Sequence, residues 1–175
     1  MGSPARAVTR AAVKICFAGF GLALLYVLFD YAIDVRPPGV QDSYRFEIGP
    51  LPGDRPKILR RDNLSILVVR RSADTIARLQ ENRDGLQDPQ SRSSRQPEYA
   101  TNILRSRAPA YFVAYGIGTD LGCGLEVLDT AVKEICGRAR YDFAGRALAG
   151  ERRFQNLAIP DYNFSDDYRY LTIRP

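Results

Sequence analysis

Redox, nucleophilic and metal chemistry draw on a few side-chain types, and this chain of 175 residues is short of them: it has no histidine and three cysteines. Without an imidazole there is no histidine-based triad, and the sequence shows no Walker loop, zinc spacing or nucleophile–base pair. Cys16 sits in an apolar N-terminal run, where it would face lipid or a packing neighbour. That leaves Cys123 and Cys136 for chemistry, with carboxylates nearby at Asp120, Asp129 and Glu134. Thiolates select soft metals and iron–sulfur clusters, whereas carboxylates favour hard cations. A cluster needs four thiolate or imidazole ligands, more than this chain can bring together outside its apolar run.

The residues from Tyr111 onward carry a family resemblance. Tyr141-Asp142-Phe143-Ala144-Gly145-Arg146, followed by Asn156-Leu157-Ala158-Ile159-Pro160-Asp161-Tyr162-Asn163-Phe164, resembles the YDxSGR and NLxVPxYxF close of Rieske iron–sulfur subunits. Gly118-Thr119-Asp120-Leu121-Gly122-Cys123 resembles the first cluster loop of that family, CTHLGC. Glu134-Ile135-Cys136-Gly137-Arg138-Ala139-Arg140-Tyr141-Asp142 resembles the second, CPCHGSxYD. Asp88-Pro89-Gln90 extends the likeness upstream, to an insertion common in Rieske subunits of cytochrome bc complexes.

What the resemblance implies depends on four positions. Gly118 and Glu134 stand where the family has ligand cysteines, and Asp120 and Gly137 stand where it has ligand histidines. All four ligand positions are vacated, so the expected cofactor is none. The proline-containing lid of the family, GPAP, is replaced by Gly150-Glu151-Arg152-Arg153-Phe154. Cys123 and Cys136 match the cysteines that form a disulfide between the loops in the family, and the same bond is expected here; the alternative is two buried free thiols. Closing a loop of this size would restrain the unfolded chain by roughly 3 kcal/mol.

These loops need an anchor and a scaffold. Arg6, Arg10 and Lys14 precede an uncharged run from Ile15 to Phe29, the layout of a membrane helix with its positive flank inside. A run of about 15 residues rises only about 22 Å, so the span must borrow Ala11 to Val13 and Tyr31 to Ile33. A cleaved export signal is the rival reading, but no small-x-small cleavage site follows. Expected boundaries are residues 1–33 for the cytoplasmic flank and anchor, 34–43 for a linker stiffened by Pro37 and Pro38, and 44–175 for the head. The net charge of +5 lies largely in the basic flank, which argues against nucleic acid as a partner.

Within the head, residues 44–48 alternate at strand period and residues 64–71 read as a strand with a buried centre. Ser72 is placed to cap a helix from Ala73 to about Gln80, with Ile76 and Leu79 on one face. Residues 82–98 are polar and loop-like, and residues 111–115, 133–136, 157–159 and 168–173 supply further short strands. The expected fold is all-β: a small antiparallel, Rieske-like β-sandwich on one transmembrane helix.

The leading function is a cluster-free, non-enzymatic accessory subunit of a membrane respiratory electron-transfer complex, with a structural, assembly or regulatory role. Its partners would be integral membrane subunits of cytochrome b/c or terminal oxidase type, together with membrane lipid. Arg138, Arg140, Arg152, Arg153 and Phe154 are candidate docking residues, since arginine and aromatic side chains anchor interfaces; a solvated basic rim is the plain alternative. A metal-binding or sensory protein using Asp120 and Glu134, with Asp129, is a second reading. An active iron–sulfur carrier of a cytochrome bc complex is a third. The expected location is a bacterial inner membrane with the head in the periplasm, or else a mitochondrial inner membrane with the head in the intermembrane space.

Overall fold

A computed structural model describes residues 4–33, 43–150 and 152–174 of the chain. It falls into two compact units, residues 1–41 and 42–175. The first carries helix α1, Pro4–Ile33, of which the 24 residues Val8–Tyr31 have a mean hydropathy of 2.1. Phe17, Phe20, Leu24, Tyr26 and Phe29 are all exposed, so the helix is apolar on every side, as a span surrounded by lipid must be. The linker expected over 34–43 lies outside the described residues except for Ser43, and so does Glu151 of the lid.

Among the described residues the second unit holds nine strands in three antiparallel sheets. Strands β2 (Lys57–Arg61), β3 (Leu64–Arg70) and β4 (Tyr111–Tyr115) lie side by side in that order. Ile66 to Val69 of β3 are fully buried, so both faces of that strand are covered. Strand β1 (Tyr44–Glu47) pairs with β9 (Tyr170–Arg174), which pairs in turn with β8 (Asp161–Phe164). The third sheet is small: β5 (Leu125–Val127), β6 (Val132–Glu134) and β7 (Arg140–Tyr141). Helix α2, Ala73–Glu81, begins as the sequence predicts, with the Ser72 hydroxyl accepting the Thr75 N–H at 3.2 Å. Leu79 is buried from this helix, and Ile76 packs against the same core.

Buried arginines do much of the work of joining the long connections. Arg105 is fully buried, and its guanidinium donates to the carbonyls of Ala144, Gly145 and Leu157 at 2.7–3.1 Å and to Gln96 Oε1 at 3.0 Å. Arg71 donates to the Leu104 carbonyl at 2.8 Å and to Ser106 Oγ at 2.6 Å. Burial pulls both guanidinium groups down to about 10. Tyr99 and Tyr162 link β8 to the turn at Glu98–Ala100: the Tyr99 hydroxyl donates to the Pro160 carbonyl at 3.1 Å and accepts the Tyr162 N–H at 2.9 Å.

Several strand boundaries differ from those expected. Residues 157–159 form no strand: the Leu157 and Ile159 N–H groups go to loop carbonyls, Gly145 O at 2.8 Å and Arg95 O at 2.9 Å, and the Ala158 carbonyl makes a lone bond to β4, accepting the Tyr115 N–H at 2.9 Å. The strand starts instead at Asp161, past Pro160, which has no N–H to give a ladder. The strands expected at 133–136 and 168–173 lie at Val132–Glu134 and Tyr170–Arg174. Strand β2 was not foreseen; Lys57, Arg60 and Arg61 disguise it, and such charges are usual on an edge strand.

Candidate functional site

Two loops emerge from the small sheet region. The first, residues 117–124, joins β4 to β5, and an Ile117–Gly124 bridge closes its base. The second, residues 135–139, joins β6 to β7, and the Glu134 N–H donates to the Ala139 carbonyl across it at 2.9 Å. Gly122 sits at φ +76°, a left-handed turn that glycine enters at little cost.

Glu134, at the end of β6, is 0% exposed, and its carboxylate points into the first loop. Oε2 accepts the Asp120 N–H at 2.9 Å; Oε1 accepts those of Leu121 at 2.9 Å and Cys123 at 2.8 Å. Asp120 returns the contact, its Oδ2 accepting the Arg138 N–H of the second loop at 2.9 Å. Arg152 lies 3.8 Å from the other Asp120 oxygen. Each loop therefore carries the acid that satisfies the other's backbone. A buried N–H left without an acceptor costs about 1–3 kcal/mol, so this exchange stabilises a pair of loops with little apolar material of their own.

The two glycines make room for it. A Cβ at Gly118 would overlap the Glu134 carboxyl group, and one at Gly137 would lie 3.0 Å from both Asp120 Oδ2 and Glu134 Oε2. Gly118, Asp120, Glu134 and Gly137 are thus brought to one place. Beside them the Tyr141 hydroxyl accepts the Thr119 N–H at 2.7 Å and meets Thr119 Oγ1 at 2.8 Å. Since Thr119 Oγ1 donates to the Gln155 carbonyl at 2.7 Å, the Tyr141 hydroxyl is the donor in that second bond. Burial pushes the Tyr141 phenol up from its usual range, against the opposing effect of the Thr119 bonds.

Cys123 and Cys136 form the expected disulfide between the loops, with Cα atoms 6.0 Å apart. Their sulfurs and a Glu134 oxygen lie within 4.8 Å of one another, a spacing that could suit a metal. The sulfurs, however, are bonded to each other, and the carboxylate faces backbone N–H groups. Asp129 is exposed at the turn between β5 and β6 and lines a different cavity, with Arg78 and Arg140. The three carboxylates of the metal reading are therefore split, two together and one apart.

The docking candidates are split in the same way. Arg138, Arg152 and Phe154 border one concavity, whereas Arg140 belongs to the cavity of Asp129. Arg153 is exposed; Phe154 is half-buried against the core, its N–H donating to Gln87 Oε1 at 2.6 Å. Two residues that the sequence reading missed stand out at the loops: Leu121 is 64% exposed and Ile135 is 60% exposed. The available signal was an apolar residue held between turn-formers, in Asp120-Leu121-Gly122 and Glu134-Ile135-Cys136, too tightly looped to reach a core.

No family model matches the chain. A curated protein described as the iron–sulfur subunit of ubiquinol–cytochrome c reductase, from Allochromatium vinosum, is 35% identical in an alignment 118 residues long that covers 61% of this chain. The match spans 57% of that protein, little more than half its length. Among solved structures, a chain described as from a hyperthermophilic respiratory Complex III superposes with a TM-score of 0.46 at 14% identity, covering 93% of this chain and 98% of that one. Over somewhat more than half its length, then, this chain, with an antiparallel head and one long apolar helix among the described residues, is similar in sequence to an iron–sulfur subunit of ubiquinol–cytochrome c reductase.

Proposed function

We propose that the chain is a cluster-free, Rieske-like accessory subunit of a membrane respiratory electron-transfer complex, serving structure, assembly or regulation rather than catalysis. The observation that carries this reading is the buried Glu134 side chain, which fills the space between the loops and binds three N–H groups of the first. An iron–sulfur cluster does not fit the residues there. Gly118 and Gly137 offer no donor atoms, Asp120 and Glu134 offer carboxylates in place of thiolate or imidazole, and the carboxylates are already bonded to backbone. On this reading the four positions are vacated ligand sites, and a hydrogen-bonded pair of acids now holds the loops in the cluster's stead.

The head docks through the exposed tip of the two loops. Leu121 and Ile135 supply apolar contact, with Arg138, Arg152 and Phe154 beside them, a composition that suits a protein interface. The partner is an integral membrane subunit of cytochrome b/c or terminal oxidase type, and α1 supplies the second point of attachment. The basic residues Arg6, Arg10 and Lys14 before the apolar run support an N-terminus in the cytoplasm and a head in the periplasm of a bacterial inner membrane. An oxidising compartment also agrees with the disulfide.

The test is purification of the full-length protein from its native membrane in mild detergent, assayed for co-purifying subunits, haem absorbance and protein-bound iron. Cytochrome subunits at fixed ratio, with no iron beyond their own centres, is the expected result. A Rieske-type EPR signal from the chain itself, or recovery of the chain alone, would overturn the proposal.

A further inference from the structure

Away from the two loops, a cavity of about 580 Å³ is lined by residues of the 83–92 connection, by Thr101 to Ile103 and by Arg146. Its volume is in the range of small-molecule sites. Most of its polar wall is already committed to the fold. The Gln87 amide donates to the carbonyls of Leu148 and Arg152 at 2.9 and 2.8 Å, Asp88 accepts the N–H groups of Arg92 and Ser93 at 3.0 Å, and the Asn102 amide donates to Tyr99 O and Ser106 O at 3.0 and 2.9 Å.

The arginines are not committed in this way. Arg146 is 1% exposed and lines both this cavity and that of Asp129; its Nε donates to Asp142 Oδ2 at 2.7 Å, yet its Nη1 is buried with no hydrogen-bond partner among the described residues. Asp142 Oδ1 accepts the N–H groups of Ala144 and Arg146, and neither Asp142 oxygen pairs with Nη1. Arg83 and Arg92 are exposed on the same cavity and make no ion pair among the described residues. A buried donor left unpaired beside two unpaired guanidinium groups is a cost that an anion would remove.

We infer that this cavity is a binding site for a phosphate-bearing ligand, its oxygens accepting from Arg146 in the wall and from Arg83 and Arg92 at the edge. Guanidinium groups match phosphate in charge and in the spacing of their donors. Pro89 and Ile103 give the rest of such a ligand an apolar wall. The site is independent of the two loops and of whether they ever hold a cofactor.

The test is calorimetric titration of the full chain, in zwitterionic detergent at fixed ionic strength, with inorganic phosphate. Saturable binding is expected, weakened about tenfold or more by the exposed double variant R83A/R92A and changed less than about twofold by Arg60→Ala on β2. Absence of saturable binding by the wild type, an unchanged R83A/R92A variant, or equal weakening by Arg60→Ala would each overturn the site. Nanodiscs then identify the source. If phosphatidylglycerol in place of phosphatidylcholine suppresses phosphate uptake, the natural ligand is a lipid headgroup; if uptake persists, it is a soluble phosphate compound.

Discussion

Glu134 Oε1 accepts the backbone N–H of Cys123 at 2.8 Å, while the sulfur of Cys123 is bonded to Cys136, two residues beyond Glu134 on its own loop. One residue of the first loop is therefore held twice by the second, once by a covalent bond and once by a buried acid. The two ties differ in what they act on. The disulfide restrains the unfolded chain, whereas the carboxylate satisfies donors that only the folded chain buries.

Glu134→Gln keeps the size of the side chain but sets an amide N–H₂ against one of three N–H donors. A loss of about 1–3 kcal/mol is expected, with a fall of several degrees in melting temperature by circular dichroism. An unchanged melting temperature would show that the carboxylate is not what holds the first loop.

Restoring ligands at the four positions should fail to restore a centre. In a variant carrying Gly118→Cys, Asp120→His, Glu134→Cys and Gly137→His, the three N–H groups now bound by Glu134 and the one bound by Asp120 lose their acceptors. Cluster reconstitution followed by EPR is expected to give no stable Rieske-type signal, because outer hydrogen bonds that orient ligands are missing as well. A stable signal would mean that the scaffold still accommodates a cluster.

The disulfide closes a segment with a sequence separation of 13. Cys123→Ser with Cys136→Ser should cost roughly 3 kcal/mol, read as a shift in the urea midpoint. The effect of Glu134→Gln should be larger in that background than in the oxidised protein, since each tie limits the damage done by losing the other.

Alkaline pH probes the Tyr162 phenol, which burial pushes up to about 12, against the lowering effect of the Arg107 N–H that it accepts. The native state holds this proton while the unfolded chain loses it near pH 10. The stabilisation is therefore complete below pH 10 and is lost as pH rises from there toward 12. Arg71 and Arg105, drawn down to about 10, act with the opposite sign, because the native state would shed those protons first. Comparing wild type with Tyr162→Phe cancels the contribution of Arg105, whereas Arg71, which interacts electrostatically with Tyr162, belongs to the difference. The stability difference between the two should shrink by roughly 1 kcal/mol between pH 9 and pH 11, and a constant difference would refute the assignment.

Docking through the tip predicts a separation of binding from folding. Leu121→Ser with Ile135→Thr removes mostly exposed apolar surface without adding charge beside Asp120 and Glu134, so the melting temperature should stay within about 2 °C. Co-purification of membrane subunits should fall several-fold. Equal recovery would move the interface away from these loops, to α1 or to another face of the head.

The legible part of this chain was the part whose physics is local. Ser72 declared the start of α2, the apolar run at 66–69 declared a buried strand, and the two cysteines declared their bond through family likeness. What the acids at 120 and 134 do was not legible, because hydrogen bonds from a side chain to backbone more than ten residues away leave no sequence pattern. Sequence placed Asp129 with them as a possible ligand, yet β5 and β6 carry it to the turn at the other end of their hairpin. Arg105 was invisible for a similar reason: its partners are carbonyls, which every residue has.

That last arginine has a practical consequence. By gripping the carbonyls of Gly145 and Leu157, whose own backbones also meet through a 2.8 Å bond, Arg105 ties off residues 146–156 at the neck, like a purse drawn shut by its string. Near the bottom of the purse, a Cβ at Gly150 would meet nothing within 4 Å. A peptide tag spliced in at Gly150 should therefore leave the head folded, and because Gly150 borders the concavity of Arg138, Arg152 and Phe154, it would obstruct that face without unfolding it.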